Sequence, residues 1–223
     1  AFPVGVGLAL VLGVLINYIG SAKGDPVLLF GGVLLVIVAI VLNGVAYKKV
    51  SPSSSTSTRG IVLALISGLL MSFFYRFVAI SMDLDNFVNP AVGKMTPYTA
   101  MVIFALGIFV STFLFNTIAM KRPVAGEPIS ISAYFKGGFS IHLVGILGGI
   151  IWGLGNGLNL IAAGKAGAAI SYGLGQGATL VAALWGVFIW KEFSKGERKV
   201  NGLLTLMFLF FVAGLGLIIA AGS

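Results

Sequence analysis

Hydrophobic positions run almost unbroken through seven stretches of this chain, residues 2–19, 27–47, 60–82, 98–120, 143–163, 166–190 and 200–221. Each is close to or above the roughly 20 helical residues that cross a bilayer core. In lipid every backbone N–H and C=O must find its partner within the protein, so apolar runs of this length predict helices. The short alternating segments of a membrane β-barrel do not occur in the sequence. The pattern therefore predicts an all-α, polytopic transmembrane helical bundle with seven visible spans. Three polar connections stand out: KKVSPSSSTSTR (48–59), DLDNFVNPAVGKMTP (83–97) and KRPVAGEPISISAYFKGGFSIH (121–142). The first reads as a flexible Ser/Thr-rich tether. In the last, residues 130–139 predict a short interfacial segment.

Composition agrees, with 58% hydrophobic and only 9% charged residues and a mean hydropathy of +1.08. A soluble domain carries about a quarter charged residues. The absence of cysteine removes thiolate chemistry, and one histidine, His142, cannot build a His-rich metal centre. The net charge of +8 is read as orientation, not as an affinity for nucleic acid. Connections alternate between two sides. One side holds Lys48, Lys49, Arg59, Lys121, Arg122, Lys136, Lys191, Lys195, Arg198 and Lys199; the other holds only Lys23, Lys94 and Lys165. By the positive-inside rule the first group is cytoplasmic, which places Ser223 outside. The expected location is a bacterial inner or plasma membrane.

Ala1 opens directly into an apolar run, without the basic stretch of a signal peptide. Either the chain has been processed or it is part of a longer one. An internal repeat bears on this. Gly5 and Gly7 match Gly175 and Gly177 at an offset of 170, and Lys23-Gly24-Asp25 matches Lys195-Gly196-Glu197 at an offset of 172. The matched spans are the first and the sixth, five apart, and an odd period inverts orientation. Inverted repeats are a recurrent transporter architecture, with solute held at their interface. The expected organisation is seven visible spans of a ten-span, five-plus-five transporter. Residues 1–50 would be the last two spans of the first repeat, 51–59 a cytoplasmic linker and 60–223 the complete second repeat.

Two glycine motifs, GLGNG (153–157) and GLGQG (173–177), look like dinucleotide-binding turns. Such a fingerprint needs a strand before it and a helix after it, and neither motif has that setting. In a membrane the glycines instead predict close helix packing. Gly145, Gly149, Gly153 and Gly157 recur every four residues on the fifth span, and Gly167, Ser171, Gly175, Thr179 and Ala183 on the sixth. Trp152, Asn156 and Asn159 share a helical face, as do Tyr172, Gln176 and Thr179. Carboxamides offer both donors and acceptors, which suits a neutral hydrogen-bonding solute. The bland alternative is that they only join helices. Arg76, beside Tyr75, is the charge lying well inside a span, and charges there are functional candidates by default. No deep carboxylate is visible in any span, so a coupling proton is expected at Asp83, Asp85 or outside the seven spans. No arrangement of catalytic groups supports an enzyme.

The string NPAVGKMTPYTAM (89–101) resembles the P-x-V-x-K-x-x-x-Y-T-A pattern of the ureide permease family, within the drug/metabolite transporter superfamily. GLGNGLN (153–159) is similar to that family's G-x-G-N-G-L-Q, and the spacing from Gln176 to Trp185-Gly186 also matches. The glucose/ribose-type uptake branch is a close neighbour. The resemblance implies ten spans and secondary, proton-linked movement of a neutral ureide, nucleobase or related heterocycle, with sugar uptake as the alternative. It carries over Lys94, Tyr98, Asn156, Asn159 and Gln176. Arg76 stands where the family pattern expects proline. The expected solute-binding set is Asn156, Asn159, Gln176, Trp152, Tyr172, Arg76, Tyr75 and Lys94, with no metal and no cofactor. The expected partners are a small-molecule substrate and the lipid bilayer, not nucleic acid; a homodimer is allowed, and a non-transporting membrane subunit is the competing class.

Overall fold

The computed structural model describes residues 2–50, 57–124, 126–194 and 198–223. Most of the expected 51–59 linker, and the Lys195-Gly196-Glu197 half of the repeat match, lie outside the described residues. The helices are α1 Phe2–Gly20, α2 Pro26–Val50, α3 Thr58–Ser81, α4 Pro97–Lys121, the short α5 Ile131–Phe135, α6 Phe139–Ala166, α7 Ala168–Gly175, α8 Gly177–Leu184 and α9 Arg198–Ala220. A π-helical turn, Trp185–Ile189, continues α8. Among the described residues six helical segments are long and apolar enough to cross a membrane, and the first helix adds a shorter apolar run, Val4–Gly20. The seven expected spans are therefore all present, and α5 stands where the interfacial segment was expected. The chain is an integral membrane protein built as a polytopic helical bundle.

Helix boundaries follow local chemistry. Asp25 Oδ1 accepts from the Val27 and Leu28 N–H groups at 2.8 and 3.0 Å, just ahead of Pro26 at the start of α2. Thr96 caps α4 in the same way, accepting from Thr99 N–H at 3.2 Å with Pro97 as the first helical residue. The sixth span departs from expectation. It is one apolar run in sequence, but the helix is interrupted at Gln176, between α7 and α8. Gln176 N–H donates to Gly173 O at 3.1 Å and Thr179 N–H to Gln176 O at 3.0 Å, both three residues back. The Thr179 hydroxyl also donates to Gln176 O at 2.6 Å. Glycine on either side of Gln176 lowers helix propensity, by about 1 kcal/mol per residue relative to alanine.

The chain divides into two compact units, Ala1–Phe77 with Ala162–Ser223, and Val78–Ile161. In the first unit α2 packs antiparallel along α9, and α1 packs antiparallel along α7. The α2–α9 contact is backbone on backbone. A methyl group on Gly32 would lie 2.6 Å from Gly214 O, and one on Gly214 would lie 2.7 Å from Gly32 O. The α1–α3 contact is as close, since a methyl group on Gly5 would lie 2.8 Å from Ala64 O and one on Gly68 would lie 2.5 Å from Gly5 O. Around these contacts sits a core of Leu10, Val14, Leu29, Val36, Tyr75, Met207, Phe211 and Ile218.

In the second unit α4 and α6 run antiparallel. Phe104 meets Trp152 with ring centres 6.3 Å apart, and Met101 Sδ occupies the space a side chain on Gly157 would need. On α4 only Pro97 and Ala100 are buried; Met101 and Phe104 are half-buried, and most of its other apolar side chains are exposed. The expected glycine groove of the fifth span is not formed along its length, because Gly145, Gly149 and Gly153 have nothing within 4 Å of where a side chain would begin. Close approach is used by Gly5, Gly32, Gly68 and Gly214 instead. Glycine spacing reports a small-residue face but does not say whether another helix lies against it.

Candidate functional site

The expected solute-binding residues fall into the two units. In the first, Tyr75 and Tyr172 are both buried and meet edge to face at 5.5 Å, with Phe74 adding a ring 6.4 Å from Tyr172. The Tyr172 hydroxyl donates to Ala9 O at 3.0 Å. Its ring fits against α1 because Gly13 has no side chain; any Cβ there would collide with it. The Tyr75 phenol meets the Ser171 hydroxyl. Arg76 Nη2 donates to Gly20 O at 3.3 Å, so the guanidinium sits at the carboxyl end of α1, where the helix dipole favours positive charge. Lys23 treats α6 likewise, donating to Gly164 O at 3.1 Å. Gln176 is half-buried at the break in the sixth span.

In the second unit Asn156 and Asn159 are half-buried on α6, while Trp152 is exposed beside Phe104. Lys94 belongs to the connection between α3 and α4 and donates to Ile80 O. That connection is ordered by its own polar groups. Met82 pairs with Met95 in a single parallel bridge, and Asp83 accepts from the N–H groups of Ala91, Asn86 and Asp85 at 2.9, 3.1 and 3.1 Å. These backbone donors, Ala91 first, hold the Asp83 carboxyl below the usual carboxylate range, with Lys94 assisting. Gly93 turns the chain with a φ of +81°, a backbone conformation that favours glycine. The N-P-A-V-G-K-M-T-P-Y-T-A string thus builds a tied loop followed by a helix cap.

One residue escaped the sequence reading. Asn17, on α1, has no exposed surface. Its Nδ2 donates to Gly13 O at 2.8 Å, while its Oδ1 is buried without a hydrogen-bond donor. The available signal was a lone carboxamide in an otherwise apolar first span, flanked at helical spacing by Gly13 and Gly20.

Among the described residues no group of three or more His, Cys, Asp or Glu side chains is placed to hold a metal. The chemistry offered is carboxamide, phenol, indole and guanidinium in an apolar frame, suited to hydrogen bonding and ring contact. Comparison with known proteins agrees with that chemistry, since the family model described as Ureide permease matches residues 48–221. The chain belongs to the ureide permease family. This is a family of permeases and not of enzymes. Ureide permease 2 of Arabidopsis thaliana is 28% identical over 165 residues, covering 74% of this chain and 41% of that protein. Ureide permease 1 of the same plant is 27% identical over 165 residues, with 74% and 42% covered. The chain therefore spans about two fifths of the length of these permeases. The "Probable glucose uptake protein GlcU" of Priestia megaterium is 26% identical over 228 aligned positions, covering 95% of this chain and 66% of that protein. No solved structure matches.

Proposed function

We propose that this chain works in a secondary active permease that moves a small, neutral, nitrogen-rich solute such as a ureide, nucleobase or related heterocycle. Its movement is coupled to protons, and it sits in a bacterial plasma membrane with its basic loops in the cytoplasm. The observation that carries this reading is the family match over residues 48–221. Half-buried carboxamides in apolar spans, Asn156 and Asn159 on α6 and Gln176 at the break of the sixth, support it, because each offers the donor and acceptor that a ureide group requires. A broken span is a recurrent device at transporter binding sites. In this reading Asn156, Asn159, Trp152 and Lys94 are the solute contacts of one unit, and Gln176, Tyr75, Arg76 and Tyr172 those of the other.

The five-span inverted repeat also has support in the first unit. The first span lies antiparallel to the sixth and the second antiparallel to the seventh, which is the pairing that a two-fold relation between segments five spans apart produces. The repeat boundaries 1–50 and 60–223 remain part of the proposal. Loop grouping supports the orientation, since Lys23, Gly164, Asp25 and Ala221 meet at one end while Tyr47 and Glu192 meet at the other.

Uptake of radiolabelled allantoin by cells expressing the chain, against the empty vector and with an imposed pH gradient, tests the reading. Saturable, gradient-driven accumulation, weakened in Asn156→Ala and Gln176→Ala, is expected; no accumulation would refute it. Sugar uptake is the second reading, favoured by the relative named for glucose uptake that covers 95% of the chain. Glucose in the same assay separates the two.

A further inference from the structure

The bare oxygen of Asn17 is the feature that neither packing nor the solute-contacting set above absorbs. Its place is fixed by its other half. The 2.8 Å bond from Nδ2 to Gly13 O determines which end of the amide is left over, because turning it round would set two oxygens against each other. The remaining Oδ1 is enclosed in the first unit with no donor. A buried acceptor left in this state costs about 1–3 kcal/mol, and a chain of apolar spans could have carried leucine there at no such cost.

Its neighbours suggest what the oxygen is for. At 100° per residue, Gly13, Asn17 and Gly20 fall within about 60° on one face of α1. Gly13 receives the ring of Tyr172 from α7, and Gly20 receives the guanidinium of Arg76 from α3. Asn17 therefore lies between a phenol and a cation, and Tyr75 packs edge-on against Tyr172. The cover at the Gly20 end is held by a single exposed bond of 3.3 Å from Arg76.

We propose that Asn17 Oδ1 is a specificity-determining acceptor for an N–H group of the transported solute, in a site that Arg76 closes at the carboxyl end of α1. This rests on the permease reading and deepens it. With Arg76 seated on Gly20 the site is occluded; release of that one bond opens the end of α1 nearest Asn17. A solute bearing N–H donors then gives the oxygen its partner. A solute without a donor leaves it bare, and a site built around a hydrogen bond rejects such analogues most steeply.

The test uses Asn17→Leu, which keeps the number and branching of the heavy atoms and removes the acceptor, and Asn17→Ala as a smaller second variant. Two readouts are taken on the full chain: allantoin uptake in cells, and melting of the detergent-purified protein with and without allantoin. The expected result is a KM for allantoin raised at least about tenfold in both variants with the maximal rate kept. Allantoin should raise the melting temperature of the unsubstituted protein and not that of Asn17→Leu, whose ligand-free melting temperature is not lowered. A purely structural Asn17 gives the opposite, a lowered ligand-free melting temperature with an unchanged KM, and overturns the proposal. An allantoin-dependent melting shift that is equal in both proteins, or missing from the unsubstituted one, overturns it too. If the unsubstituted protein takes up neither allantoin nor glucose, the permease reading falls instead, and the melting arm still decides Asn17 by itself.

Discussion

Replacing Gly32 by alanine puts one methyl group into the backbone-on-backbone contact of α2 with α9, and its cost can be worked out from the structure. The added Cβ would lie 2.6 Å from Gly214 O and 2.7 Å from Ile218 Cγ1. Contacts below 3.4 Å are already tighter than most real ones, so relief requires about 0.8 Å of separation, the difference between 3.4 and 2.6 Å. The obstacle is helix backbone, which cannot rotate away like the end of a side chain, so α2 and α9 must part along their shared length. Overpacking of this kind costs about 1–3 kcal/mol. Alanine recovers about 0.5–1 kcal/mol of that through helix propensity, leaving a net loss centred on about 1 kcal/mol. Gly214→Ala should behave alike, since its methyl group would meet Gly32 O at 2.7 Å. The double variant should cost less than the sum, because helices parted by the first methyl group have room for the second. Gly149→Ala is the internal control. Nothing lies within 4 Å of its Cβ position, so it should be neutral or slightly stabilising. Thermal unfolding in one detergent reads all four variants. Equal destabilisation by Gly149→Ala and Gly32→Ala would refute the reasoning, as would full additivity of the pair.

Tyr172→Phe removes the bond from the phenol to Ala9 O while keeping the ring in its Gly13 notch, and should lower stability by about 1 kcal/mol in the same melting assay. Thr96→Ala removes the cap of α4 and should cost about 1 kcal/mol, with Thr96→Ser recovering most of it. Asp83 has its folded-state pKa lowered, so its contribution to loop stability is present above the unfolded pKa of about 3.9 and is lost as pH falls through the lower folded value. It stays ionised near neutrality; Asp83→Asn should therefore leave the pH profile of uptake between about 5 and 8 unchanged in shape, and a profile shifted by that variant would make Asp83 a coupling group after all.

Much of this fold is legible because lipid imposes one rule on every span: apolar runs of sufficient length become helices. The boundaries at Pro26 and Pro97 follow from cap and proline residues visible in the sequence, whereas α6 begins at Phe139, four residues before the expected span. The break at Gln176 was less visible, since Gly175 and Gly177 admit both a continuous glycine-faced helix and an interrupted one. The side-chain bond from Thr179 to Gln176 O goes with the second. Glycine spacing singled out Gly145 and Gly149, yet close approach occurs at Gly32 and Gly214, because burial depends on a partner helix far away in sequence. For the candidate residues, residue type indicated Tyr75 and Tyr172 but not that they would meet one another. Asn17 was overlooked because a single amide in an apolar run looks incidental until its surroundings are known.

The interruption at Gln176 also divides the sixth span into two unlike halves. On one side, residues Ala168 to Gly173 of α7 are all buried. On the other, only Ala183 of α8 is buried. The two halves of this one span therefore have different partners. The first holds the Tyr172 ring in its notch against α1, whereas the second leads into the π-helical turn that leans on α9 through Phe188 and Phe208.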